Sequence, residues 1–166
     1  MRILTTVFLI LIPAAFAAEK HPWASFKPGS YAKLRTTSTV AGQKTVTEMT
    51  QTLVSVDANN AVVETAMTVM GQTTKTKTPI PLKAAATPAN APQGKPVTPT
   101  SETITAAGKS LACKCVDVQT NANGMKTNAK SCSSETVPGG LVRVVSTTAG
   151  AVKMESVTEL VEFAAK

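Results

Sequence analysis

Residues 111–134 read LACKCVDVQTNANGMKTNAKSCSS, and the fold turns on how this stretch is read. Asn123-Gly124 is the strongest hairpin signal in the chain, because a type I′ turn needs positive φ at both central positions and Asn-Gly accepts it. Leu111–Thr120 and Met125–Ser134 then become the two strands of a hairpin. The same stretch holds all three cysteines, Cys113, Cys115 and Cys132. If Asn123 and Gly124 form a two-residue turn, paired positions sum to 247 and Cys115 faces Cys132. If Asn121–Gly124 is a four-residue loop, the sum is 245 and Cys113 faces Cys132. Either register allows one cross-strand disulfide and leaves one thiol over. Side chains alternate along a strand, so Cys113 and Cys115 share a face.

Three thiols on one hairpin also invite a metal or redox reading. A C-x-C pair lacks the C-x-x-C knuckle of structural zinc, and the lone His21 is far away in sequence. Thiol–disulfide catalysis calls for C-x-x-C at a helix N-terminus, where the nucleophile's pKa falls. The expectation is therefore a structural staple, Cys115–Cys132 or Cys113–Cys132, with a buried spare thiol, no metal and no cofactor.

Outward from the hairpin the composition stays strand-like. From Tyr31 on, Thr and Val dominate and turn formers recur at strand-length intervals. Tyr31–Ala41 leads to Gly42-Gln43, Lys44–Asp57 to Asn59-Asn60, and Ala61–Met70 to Gly71-Gln72, with Thr73–Thr78 extending the pairing. After a break come Glu102–Ala106, a turn at Gly108-Lys109, the cysteine hairpin, Leu141–Thr148, a turn around Gly150, and Ala151–Phe163. About seven or eight strands in an all-β antiparallel meander suit a curved sheet or an open half-barrel. Adjacent apolar pairs (Leu53-Val54, Val62-Val63, Val144-Val145, Leu160-Val161) break strict alternation. Either both faces are partly apolar or bulges shift the phase.

Two segments fall outside this rhythm. Residues 21–31 concentrate His21, Trp23 and Tyr31, the chain's single His, Trp and Tyr, and predict a short helical turn with Trp23 and Phe26 as apolar plugs over one end of the core. Residues 79–100 carry Pro79, Pro81, Pro88, Pro92, Pro96 and Pro99 and predict a long, extended Pro-rich loop within a single domain spanning 18–166.

The N-terminus sets the compartment. Arg2 precedes a mostly apolar run to Phe16, and Ala15-Phe16-Ala17 fits the small-x-small rule, which predicts a signal peptide over residues 1–17 cut between Ala17 and Ala18. A membrane span needs about 20 apolar residues, whereas this run contains Pro13 and stops at Glu19-Lys20. The expected product is exported, periplasmic or secreted, with no transmembrane anchor. Cleavage removes Arg2 and lowers the formal charge from +7 to about +6. The lysines are scattered singly, and aromatics are only 4% of residues, so the stacking platform and basic stripe of a nucleic-acid binder are missing.

Catalytic chemistry finds little footing. Nucleophilic hydrolysis wants a base beside the nucleophile, and His21 lies next to Pro22 ahead of the first strand. Glu48, Glu64, Glu155 and Glu159 have Thr and Lys neighbours and are expected to be solvated strand-face charges rather than a glycosidase pair. No phosphate-binding glycine loop is present. No catalytic residue is assigned.

Trp23-x-x-Phe26-x-x-Gly29-Ser30-Tyr31 ahead of a long meander, with Val137-Pro138-Gly139-Gly140-Leu141-Val142 between two late strands, resembles small exported bacterial β-proteins. These are similar in turn to the LolA/LolB-like lipoprotein-carrier superfamily. The resemblance implies an unclosed β-barrel holding a lipid or lipoprotein acyl chain, with both motifs as structural landmarks. The resulting expectation is a non-enzymatic cell-envelope protein whose concave face, lined by Val, Leu and Met, binds an amphipathic ligand. The alternative is a structural or interaction module that meets an envelope protein and has a filled core.

Overall fold

The computed structural model describes residues 21–69, 71–83, 98–122, 125–150 and 153–166. The signal segment 1–17 with its Ala17/Ala18 cleavage position, the Asn123-Gly124 turn and most of the Pro-rich stretch lie outside the described residues. Within them the chain makes one 3-10 turn (Pro22–Ser25) followed by β1 (Tyr31–Val40), β2 (Gln43–Val56), β3 (Asn60–Val69), β4 (Gln72–Pro81), β5 (Thr100–Ala106), β6 (Lys109–Ala122), β7 (Met125–Ser133), β8 (Leu141–Ala149) and β9 (Met154–Ala164). All nine strands join one sheet in the order β4-β3-β2-β1-β9-β8-β7-β6-β5. Two antiparallel meanders, β1–β4 and β5–β9, thus lie side by side along a β1–β9 seam, and the sheet does not close. The all-β, unclosed architecture is as the sequence predicts, with nine strands where about seven or eight were expected.

The extra pairing comes mainly from β4, which runs through Pro79 and Pro81 opposite Val62 and Asn60. The Pro-rich loop therefore starts later than residue 79. Proline is tolerated here because β4 is an edge: residues two apart project their N–H groups the same way, so both missing donors fall on the open side. Two turns also sit one residue earlier than the glycines suggest. Ala41-Gly42 and Ala107-Gly108 form the tips, with φ of 49° and 51° at the alanines and 82° and 69° at the glycines. A two-residue hairpin loop requires the left-handed region at both positions, and the alanines accept some strain to supply it.

Bulges resolve part of the broken alternation. Val54 is skipped between the Leu53–Val63 and Ser55–Val62 pairs, and Val161 between Lys33–Glu162 and Leu34–Leu160. A third bulge skips Val142 between Cys132–Arg143 and Ser133–Leu141. Val142 is nonetheless fully buried, so the bulge turns an unpaired residue into the core.

The core gathers at one end of the sheet, where β1 begins and β9 finishes. One cluster joins Ala32, Leu34, Leu160 and Val142 with Val137, Leu111 and the three cysteines. A second joins Trp23 and Phe26 to Leu53, Ala61 and Val63. The lead-in segment is fastened across this end: Leu53 N–H donates to Ser30 O at 2.9 Å, Gly29 N–H donates to Leu53 O at 2.7 Å, and Lys166 N–H donates to Ser30 Oγ at 3.0 Å. His21 is half-buried; its Nδ1 accepts the Trp23 N–H at 3.3 Å and caps the 3-10 turn. The two landmark motifs meet here, because Gly139 at φ +75° lies so close that a Cβ would stand 2.8 Å from Trp23 Cζ2.

Gly139→Ala should therefore cost roughly 2–4 kcal/mol, combining left-handed strain with overpacking. With Trp23 the single tryptophan, intrinsic fluorescence during urea unfolding reads the contact directly. An unchanged midpoint would show that the indole does not depend on the glycine.

Candidate functional site

Because opposite residues share a face, the registers fix which side of the sheet every residue takes. Lys33, Arg35, Glu48, Glu64, Lys75 and Lys77 on β1–β4 fall on one face, and so do Lys126, Lys130, Arg143, Glu155 and Glu159 on β7–β9. From β4 across to β7 the other face carries no charged residue within the paired segments. Away from the core it presents rows of hydroxyls, such as Thr45, Ser38, Ser156 and Ser146 on four neighbouring strands. They bond sideways: Thr36 to Thr158 at 2.8 Å, Ser38 to Ser156 at 3.1 Å and Thr127 to Thr148 at 3.0 Å.

On the charged face most of the cations are paired with carboxylates. Glu48 receives Lys33 at 2.8 Å and Arg35 at 2.8 Å, and Glu64 receives Lys75 at 3.4 Å. Hydrogen bonds from Lys33 and then Arg35 hold the Glu48 pKa below the ordinary carboxylate value. The carboxylates expected as solvated strand charges are thus ion-pair partners, half-exposed and scattered along the sheet rather than gathered as a catalytic dyad.

The densest chemistry lies where β5, β6 and β7 meet. The structure joins Cys115 to Cys132 across β6 and β7, their Cα atoms 4.0 Å apart, in the register of a two-residue turn. Cys113 is not bridged; it is buried, faces Glu102 across the β5–β6 ladder, and points its thiol at Leu111 O at 3.5 Å. Burial pushes its pKa up, the opposite of an activated nucleophile. Glu102 escaped the sequence reading, since a lone acid in a Thr-rich strand carries no motif. Its carboxylate takes a short hydrogen bond and ion pair from Lys130, which lowers the Glu102 pKa and raises that of Lys130.

β5 arches over the charged face at this corner, leaving a cleft of ≈310 Å³ walled by Glu102–Thr105, Lys130, Cys132, Arg143 and Val145. A second of ≈220 Å³ continues along Asp117, Gln119, Asn128 and Val145. The walls of the two clefts mix charged and polar groups with Ile104, Val118 and Val145, and carry no Leu or Met. Apolar side chains went instead into the packed end of the sheet. The Glu102 carboxylate and the Cys115 and Cys132 sulfurs lie within 4.8 Å of one another, but sulfurs bonded to each other offer no thiolate.

No family model matches the chain, and no curated protein matches it. Among solved structures it is similar to a candidate lipoprotein from Parabacteroides distasonis, at 13% identity and a TM-score of 0.46, over 84% of this chain and 98% of that one. No helix among the described residues is long and apolar enough to cross a membrane.

Thiol titration reads this geometry. The folded, unreduced protein should resist an aromatic disulfide reagent at neutral pH, release one equivalent in denaturant, and release three only after reduction. On the acid side, the depressed Glu102 pKa means its pairing contributes above the ordinary carboxylate pKa and is lost as pH falls through the lower folded value. Glu102→Gln should flatten that part of the stability–pH curve.

Proposed function

We propose that this chain is a non-enzymatic exported protein of the cell envelope that acts as an interaction module, docking a protein partner on its uncharged sheet face. The observation that carries the reading is the segregation of charge onto the opposite face across the seven strands from β4 to β7. Hydroxyls and small apolar groups can be covered without stranding a charge, whereas burying an unpaired ion costs several kcal/mol. The size is adequate: seven strands ~4.8 Å apart and some six residue steps of ~3.3 Å make a patch on the order of 650 Å², close to the ~800 Å² per partner of a standard interface. Export is supported by the N-terminal segment and by a disulfide, which persists in oxidising compartments.

Acyl-chain carriage has weaker support. A fatty chain needs a dry apolar channel, and both clefts have charged groups in their walls. Nucleic-acid binding is also disfavoured, since Lys33, Arg35, Lys75, Lys77, Lys130 and Arg143 on the charged face are engaged by carboxylates.

A photo-cross-linking residue substituted at Thr47, on the uncharged face, should capture one defined envelope protein in intact cells, and the same residue at Thr39, on the charged face, should not. Thr158→Lys should abolish that capture without changing the circular dichroism. Delipidated protein should gain no thermal stability from fatty acid or phospholipid. Equal cross-linking from both faces, or a lipid-dependent rise in melting temperature, would overturn the reading.

A further inference from the structure

The geometry points to a redox-gated metal site at the β5–β6–β7 corner, in which Cys115, Cys132 and Glu102 bind a thiophilic divalent ion such as Zn²⁺ once the disulfide is opened. Three strands deliver the ligands. β6 and β7 set Cys115 opposite Cys132, and β5 brings Glu102 over them, so that one carboxylate oxygen and both sulfurs lie within 4.8 Å of one another. Two Zn–S bonds of about 2.3 Å at a tetrahedral angle place the sulfurs roughly 3.8 Å apart, a separation that side chains on directly opposed strand positions reach by χ1 rotation. Both cysteines are buried, so the ion would be held away from bulk water, while Glu102 is half-exposed. Cys132 and Glu102 line the ≈310 Å³ cleft, which gives both the ion and a reductant a way in.

The gate is the disulfide. A dithiol reductant transfers two electrons: its two sulfurs become a cyclic disulfide, the Cys115–Cys132 bond breaks, and each sulfur takes one proton. Metal binding then releases those two protons to solvent, forming two thiolates beside a carboxylate that is already ionised. The three anionic ligands exceed the ion's charge by one, and Lys130, held against Glu102, supplies the balancing cation. Two sulfurs in the set select zinc over magnesium or calcium, which prefer all-oxygen shells.

The test uses full-length mature protein carrying Cys113→Ser, so that the spare thiol neither binds nor exchanges. After anaerobic reduction with dithiothreitol and desalting, Co²⁺ serves as the probe. The reduced form should bind one Co²⁺ per chain with a thiolate-to-metal charge-transfer band, displaced by Zn²⁺, and the oxidised form should show none. Glu102→Gln should weaken binding at least about tenfold. The site is refuted if the reduced protein shows no such band, if the oxidised protein binds equally, or if Glu102→Gln leaves affinity unchanged. Circular dichroism guards against unfolding on reduction: Zn²⁺ should raise the thermal midpoint of the reduced protein and not of the oxidised one. A reduced chain that lacks strand signal even with Zn²⁺ also refutes it.

Discussion

The β1–β9 seam is the pairing on which the rest of the sheet depends. Every other neighbouring pair of strands is a hairpin or short connection within one meander, but β1 and β9 come from opposite ends of the chain; Thr36 and Thr158, bonded across the seam, are 122 residues apart. Closing a loop of that length costs about 4 kcal/mol in chain entropy. Leu34 and Leu160, paired on the seam and both almost completely buried, contribute roughly 1.5–3 kcal/mol each, so their burial at the seam's lower end is of the size needed to offset the closure cost. Lys27 and Ser30 then bond to Lys166, tying the two ends of the folded chain beside the paired leucines. Such dependence on distant contacts favours slow folding, with the two meanders forming before they join.

Above the packed end the sheet continues as a layer whose two faces are both half-exposed, and stability there comes from lateral contacts. Cross-strand pairs contribute some 0.2–1 kcal/mol each, and exposed ion pairs about 0–1. The hydroxyl rows on one face and the Glu48 and Glu64 networks on the other are such contacts. Each is weak, and their number along long strands is what holds the layer. Edge β4 is guarded by Pro79, Pro81 and the lysines at 75 and 77, and β5 is only seven residues long, both recognised ways of discouraging edge-to-edge association.

Much of this was legible in the sequence because it rests on local chemistry. Asn123-Gly124 signals a hairpin and limits Cys132 to Cys115 or Cys113 by counting, and the register of the structure selects Cys115. Trp23 and Phe26 declare themselves as plugs by being large apolar groups in a polar lead-in. What stayed hidden depends on register between strands. Each strand alternates charged and uncharged residues, as in Lys33-Leu34-Arg35 or Lys75-Thr76-Lys77, but whether seven strands share one phase is decided by turn lengths and bulges. A turn at Gly108-Lys109 would have set Glu102 against Cys115; the observed Ala107-Gly108 turn sets it against Cys113. One residue of turn register thus decides which cysteine the carboxylate faces, and no composition signal distinguishes the two.

The cysteine corner and the bare face are linked through the arch of β5. The early half of β6 pairs with β5 and the later half with β7, so β6 leaves one ladder for the other at Cys115, where the disulfide crosses. A bridge spanning 17 residues contributes on the order of 3 kcal/mol by restricting the unfolded chain, but its position matters as much as its size. It pins the strand where the sheet changes direction, so that β5 folds back over the charged side. That arrangement places the overhanging strand on the charged face and leaves the hydroxyl rows beyond the packed end partly exposed. An arch in the other sense would have covered the face that carries no charge and exposed a surface that no neutral partner could bury.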